Sequence, residues 1–273
     1  LFNFLLDFTL FGPVIIIYFE REIGSYTLAM SVLSVTMLSA ALFEVPTGVF
    51  SDMIGRKWTV VAGAVASLLS VIFYAVGSVY AVLLVGAILE GLARSLFSGN
   101  NNALLYDTLA ENGEQAEYQS YLGRTSSTYQ FALAISALLG GLLAAVSFSL
   151  VMWLSVIPRA LMVIVSLRFI EPQIHKAESG NIYSHLREAF QNIIRNPRLR
   201  LLNIGQIISY SVGEAAFQFR TVFIELLWPL WAIGAARTIS NIMAAVSFYF
   251  AGPLLKRFGE SRLLFGGIAL SQV

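Results

Sequence analysis

The stretch Glu44-Val45-Pro46-Thr47-Gly48-Val49-Phe50-Ser51-Asp52-Met53-Ile54-Gly55-Arg56-Lys57-Trp58 decides how this chain is read. A long apolar run stops there in a tight, charged turn, and another apolar run starts at once. Such a pattern reads as a hairpin at a membrane surface. Gly48 leaves a helix face without a side chain, so another helix can come close, and Gly55 permits a sharp reversal. Asp52 is an acid at the end of the first run. Arg56 and Lys57 follow the turn and mark the cytoplasmic side.

Composition points the same way. Hydrophobic residues make up 57% of the chain and charged ones 12%, with a mean hydropathy of +0.75, where a soluble domain carries about 25% charged residues. A chain so poor in charge belongs in lipid. The net charge of +1 leaves no basic surplus to hold phosphates, which argues against nucleic acid as a partner. With no cysteine, disulfides, thiolate metal sites and thiol catalysis are excluded together. His175 and His185 lie in a charged connector, where a solvated role outweighs metal ligation. No catalytic triad, phosphate-cradling loop or metal spacing occurs, so neither an enzyme nor a metal or other cofactor is expected.

A membrane helix needs about 20 mostly apolar residues. On that measure about nine spans are predicted, at 1–19, 28–50, 58–76, 80–106, 125–146, 150–170, 201–226, 230–255 and from 263 onward. The expected fold is all-α and polytopic: residues 1–170 form a six-helix bundle, 171–200 a cytoplasmic linker, and 201–273 the start of a second bundle, helices seven to nine. Within the linker, 183–194 has the spacing of an amphipathic surface helix. The chain opens on Leu1 without a methionine or a basic leader and closes on Val273 inside an apolar run, so it reads as a fragment.

If the hairpin is cytoplasmic, about 12 of the 17 Lys and Arg fall on its side, among them Arg124, Arg168, Arg195 and Lys256. Only Arg21 falls on the other, which puts the amino terminus inside. The second half also repeats the first. Gly252-Pro253-Leu254-Leu255-Lys256-Arg257-Phe258-Gly259 stands 204 positions beyond the segment from Gly48 to Gly55, with Lys256 in place of Asp52. The same offset carries the first span onto the seventh.

The pattern Gly48-x-x-x-Asp52-x-x-Gly55-Arg56-Lys57 resembles the loop signature of the major facilitator superfamily of secondary transporters. Glu44 to Gly48, and Ala103-Leu104-Leu105-Tyr106-Asp107-Thr108, look like the form found in a bacterial multidrug-efflux-like branch. The resemblance covers essentially the whole chain, as the first nine of the family's usual twelve helices. It implies two six-helix bundles related by an axis along the membrane normal, a substrate site between them, and transport by alternating access. Two efflux-type signatures are degraded. The helix-four motif, usually Arg-x-x-Gln-Gly, here reads Ala87-Ile88-Leu89-Glu90-Gly91, and the helix-five motif keeps only Gly140 and Gly141 of its Gly-Pro-x-x-Gly-Gly ending.

An ionisable residue within a span costs about 2.5–3.5 kcal/mol on insertion scales and needs a partner or a water-filled cavity. Glu90 and Arg94, four apart on one helix face, read equally as a structural ion pair and as cavity charges. Asp7 and Glu44 fall toward the inner third, where either can complete a network with Arg94 or carry a proton; salt-bridge scaffolding is the blander alternative. Glu214 and Arg237 are the corresponding candidates in the second half. Arg159 and Arg220 read as packing charges or snorkelling anchors. Of Asn100, Asn101 and Asn102, not all can face one cavity. Gly48, Asp52, Gly55, Arg56 and Lys57 form the expected gating motif, with Asp52 docking on the positive end of a helix in the other half and Arg56 orienting it.

The expectation is a monomeric transporter in the cell membrane, the inner membrane of a bacterium, that exports a small amphipathic molecule coupled to protons. Nutrient uptake by the same fold and a non-transporting receptor or scaffold are the rival readings. In the full-length protein, with any cysteine outside these residues replaced, the variants Asp52→Cys and Lys256→Cys should each react with a membrane-impermeant maleimide from the same, cytoplasmic face. Labelling from opposite faces would break the repeat.

Overall fold

Apolar runs of this length can satisfy their backbone in lipid only by coiling, and the described residues form helices and no strands. The structure is a computed structural model and describes residues 1–172, 191 and 194–258. His175, His185, most of the segment 183–194 and the ninth span lie outside the described residues. The helices are α1 (Phe2–Asp7), α2 (Ile15–Ile23), α3 (Tyr26–Ile54), α4 (Arg56–Val76), α5 (Tyr80–Phe97), α6 (Asn100–Glu111), α7 (Tyr118–Val146), α8 (Phe148–Leu167), α9 (Pro197–Leu227) and α10 (Leu230–Phe258), with a single 3-10 turn at Gln115–Glu117. Among the described residues, five stretches are long and apolar enough to cross a membrane: Tyr26–Ile54, Arg56–Val76, Tyr80–Glu111, Gln115–Val146 and Phe148–Leu167.

Helix starts follow local chemistry. Ser25 accepts a hydrogen bond from the Leu28 N–H and Ser147 from the Leu150 N–H, each at 3.4 Å. Asn196 accepts from Arg198 and Leu199 ahead of α9, whose first residue, Pro197, has no N–H to leave unpaired.

Two spans expected to be continuous are broken. The first stops at Asp7, where Phe8 leaves helical geometry with ψ 81°, and resumes at Ile15, past Pro13, which has no N–H to continue a ladder. The carbonyl freed at Leu6 accepts from Arg159 Nη1 at 2.6 Å. The fourth breaks between α5 and α6, where Gly99 takes a φ of 71° that a side chain would oppose.

Small residues bring the helices together, as expected where apolar burial gives helices no preference for each other over lipid. A Cβ at Gly91 of α5 would lie 2.5 Å from Ser39 Cβ and 2.6 Å from the Thr36 carbonyl of α3. Gly140 of α7 faces the Leu10 carbonyl so closely that a Cβ would collide with it. Gly141 of α7 meets Gly234 of α10, and Thr238 Oγ1 donates to the Ala134 carbonyl across the same interface at 2.8 Å. Of the pair retained from the degraded helix-five signature, Gly141 meets the second repeat and Gly140 the break in the first span.

The repeat is visible in the elements themselves. Helix α10 starts at Leu230, 204 positions beyond Tyr26, which starts α3. Leu227, which closes α9, lies as far beyond Ile23, which closes α2.

A Cβ at Gly234 would meet the Ala137 carbonyl and stand 3.0 Å from Gly141 Cα. Backbone on both sides leaves no flexible side chain to yield. The full-length Gly234→Ala variant should lose about 1–3 kcal/mol through overpacking, read as a lower melting temperature in detergent; an unchanged melt would mean that α7 and α10 are not in backbone contact.

Candidate functional site

A cavity of about 850 Å³ lies between α2, α3, α5 and α7 on one side and α9 and α10 on the other. Glu90, Arg94, Glu214 and Arg237 all line it, so four of the six residues proposed from the sequence for a proton or substrate path come together. Glu90 and Arg94 form an ion pair at 3.3 Å along α5, while Glu90 Oε2 is buried without a hydrogen-bond partner among the described residues. Glu214 accepts from Gln218 Nε2 at 2.9 Å. Arg237 donates to Thr221 Oγ1 at 2.7 Å and stands 4.6 Å from the centre of the Phe217 ring.

Arg220 also lines the cavity, which the sequence reading left as packing or anchoring. A usable signal was present: Tyr210, Glu214, Phe217, Thr221 and Ile224 recur at helical spacing and all line the same wall. Arg159, by contrast, is a packing charge, 3% exposed and bonded to the Leu6 carbonyl.

Asp7 lies apart from this group, in a second cavity of about 300 Å³ with Asn3, Asn101, Asn102, Thr125, Ser126, Tyr129 and Gln130. Tyr129 lines both spaces. The three asparagines divide as helix geometry requires, since Asn100 is buried and turned toward Ser51. Glu44 does not join a network with Arg94. Its side chain is on an exposed face of α3, and the buried positions of that helix are small or short, including Thr36, Ser39, Thr47 and Ser51.

The hairpin is held from several sides. Gly55 has a φ of 93° between α3 and α4. As the residue ahead of α4 it offers no side chain to that helix's free N–H groups, and Glu171 supplies one. Its carboxylate accepts from the Arg56 N–H at 2.6 Å and the Lys57 N–H at 2.8 Å. Arg56 pairs with Asp107 of α6 at 3.5 Å and donates to Asn100 Oδ1 at 3.0 Å, and Ser51 hydrogen-bonds the same amide oxygen. Thr47 Oγ1 bonds the Ser95 carbonyl of α5 at 3.3 Å. Among the described residues, nothing comes within 4 Å of a Cβ built at Gly48. Lys57 Nζ stands 5.3 Å from the Trp58 ring centre, and Asp52 occupies the last turn of α3.

At the other end of the bundle, Glu225 of α9 receives Arg21 Nη2 at 3.3 Å and the Tyr26 hydroxyl at 3.4 Å. Arg21 also stacks over Phe148 at 4.6 Å. This contact joins the two repeats on the side opposite the hairpin. Neither Glu171 nor the Arg21–Glu225 pair was foreseen, because both are meetings of residues remote in sequence.

Apolar helices of membrane-spanning length, wrapped about a charged cavity at the junction of two repeats, define a multi-pass membrane protein of the transporter class. The sequence matches the family model of the Major Facilitator Superfamily over residues 1–271, and the chain belongs to that family, which comprises membrane transporters of small molecules and not enzymes. No curated protein matches the chain in sequence.

Removing the Glu171 carboxylate should leave two N–H groups of α4 uncapped, a loss of about 0.5–2 kcal/mol. Full-length Glu171→Ala should melt lowest, Glu171→Gln between it and the parent, since an amide oxygen can still accept. Equal melting of all three would remove the capping role.

Proposed function

We propose that the protein exports a small amphipathic molecule across the inner membrane of a bacterium by alternating access, coupled to inward proton movement. Residues 1–170 form one moving half, 171–200 the cytoplasmic linker, and 201–273 the beginning of the other, with the amino terminus in the cytoplasm. Each chain holds its own cavity, and the working unit is a monomer. The observation that carries the reading is the cavity itself, to which both repeats contribute charged side chains at their junction.

In this reading the Arg21–Glu225 contact closes the outer end, and the cavity serves the cytoplasmic side. Outward opening breaks that pair and brings Asp52 onto the positive end of a helix in the other half, past the bare surface at Gly48. The two latches then exclude each other. Asp7 is the proton carrier: it stands in a polar pocket that shares Tyr129 with the central cavity, so its charge can be felt where the solute binds. Uptake is the second reading, favoured by Ala87, fully buried where the efflux signature has its arginine.

The test is flux by the full-length protein in proteoliposomes, over a panel of anionic, cationic and neutral fluorescent solutes, with and without a pH gradient. At least one solute should move saturably and follow the gradient, and Asp7→Asn should lose the gradient dependence while retaining solute exchange. Flux indifferent to pH in the parent would remove proton coupling. No saturable flux of any solute would remove transport.

A further inference from the structure

We infer that the solute is an organic anion with an apolar, aromatic body, its carboxylate, sulfonate or phosphate group seated on Arg220 and Arg237. The inference rests on the transport reading and names the substrate class of that same cavity.

The charges of the cavity do not cancel. Three arginines and two glutamates line it: Arg94, Arg220, Arg237, Glu90 and Glu214. Glu90 is taken by Arg94. Glu214 is engaged by the Gln218 amide and is not within ion-pair distance of an arginine among the described residues. Among the described residues, Arg237 meets neutral groups, the Thr221 hydroxyl, the Gly12 carbonyl at 3.5 Å and the Phe217 face. Arg220 has no hydrogen bond or ion pair among the described residues. The α9–α10 wall thus carries two guanidinium groups without a paired carboxylate.

Arg237 is half-buried and Arg220 exposed, and a cation drawn even partly out of water without a counter-ion is held at a cost. An anionic solute removes that cost on arrival, whereas a cationic one adds to it. Guanidinium forks match the planar oxygens of carboxylates and the faces of phosphates and sulfonates, and they do so best where water is scarce. The amino-terminal end of α2 adds to the same field. It starts at Ile15, two residues after Pro13, and Gly12, Pro13 and Ile15 all line the cavity, so the positive end of the helix dipole lies beside the guanidinium that reaches Gly12. A cationic solute could approach Glu214, which is engaged only by the neutral Gln218 amide, but there it would face the guanidinium groups of Arg220 and Arg237 on the same wall.

The rest of the wall asks for an apolar body. Phe11, Met30, Leu33 and Tyr74 line the side contributed by the first half. A wholly hydrophilic anion would leave that surface wet, and an uncharged hydrocarbon would leave the arginines unpaired. A molecule with both ends fits both walls.

The experiment uses the full-length protein in detergent and four probes sharing a naphthalene body: tritiated 2-naphthoate as ligand, with 2-naphthalenesulfonate, 2-naphthyltrimethylammonium and 2-naphthamide as competitors. Naphthoate should bind saturably, and the sulfonate should displace it at least about tenfold better than the ammonium or the amide. Arg237→Gln and Arg220→Gln should each weaken naphthoate binding by about tenfold or more. Arg237 holds hydrogen bonds within the fold, so melting temperature is measured alongside; should that variant unfold, Arg220→Gln decides, its side chain having no hydrogen bond among the described residues. The assignment is overturned if folded parent protein fails to bind naphthoate, if the ammonium probe competes as well as the sulfonate, or if folded variants bind naphthoate as the parent does. Flux of the ammonium probe without anion binding overturns the assignment and leaves transport standing. Anion binding without flux in liposomes does the reverse.

Discussion

A lipid interior offers no partner to an unpaired backbone carbonyl, so a membrane helix can be broken only where protein groups take over its hydrogen bonds. That constraint organises the centre of this molecule. The first span is interrupted between Asp7 and Ile15, and three other helices serve the gap. Arg159 of α8 takes the Leu6 carbonyl, Arg237 of α10 reaches the Gly12 carbonyl, and the bare surface of Gly140 on α7 admits the Leu10 carbonyl. The interruption is what sets Gly12 and Pro13 on the cavity wall and Asp7 on the neighbouring pocket. Arg237 has two duties as a result: it supports the break in one half of the molecule and lines the central cavity from the other. Whatever binds to its guanidinium also acts on the contact between the halves.

The repeat explains the geometry of the cavity but not its charge. Five pairs of residues 204 apart line the same space: Phe11 with Ala215, Pro13 with Phe217, Leu33 with Arg237, Thr36 with Ser240 and Met37 with Asn241. Matching positions thus supply much of the lining, while their chemistry differs, as at Leu33 and Arg237. Arg21 and Glu225 are also separated by 204 positions, and they touch. Matching residues can meet only near the axis that relates the halves. Identical charges there would repel, so opposite signs at this one position turn a symmetric clash into a latch.

Much of this was legible in the sequence. Gly55 was read as the point of reversal, and it takes a left-handed φ. The long spans, the Glu90–Arg94 pair and the second-half charges at Glu214 and Arg237 follow from apolar length and from the rarity of charge within it. The broken spans were less visible, although Gly12-Pro13 and Gly99 carried the signal, because hydropathy averages over a window and does not register a missing N–H. Glu44 was grouped with Arg94 by depth alone; depth fixes the level of a residue in the bilayer but not the side of the helix on which it lies. Glu171 was assigned to a linker for the same kind of reason, since nothing local announces that a carboxylate caps a helix more than a hundred residues earlier.

That capping contact alters the part the hairpin plays. Glu171 follows the last helix of the first bundle and grips the first turn of α4, while Arg56 and Ser51 tie the same turn to α6 through Asn100. The hairpin is thereby fixed to the end of α8, where the polar connector to the second half begins. The exposed side of the hairpin at Gly48 remains uncovered by the described residues. A rigid base with one bare face is what a latch needs, because a partner helix can dock on it or leave without refolding the bundle beneath.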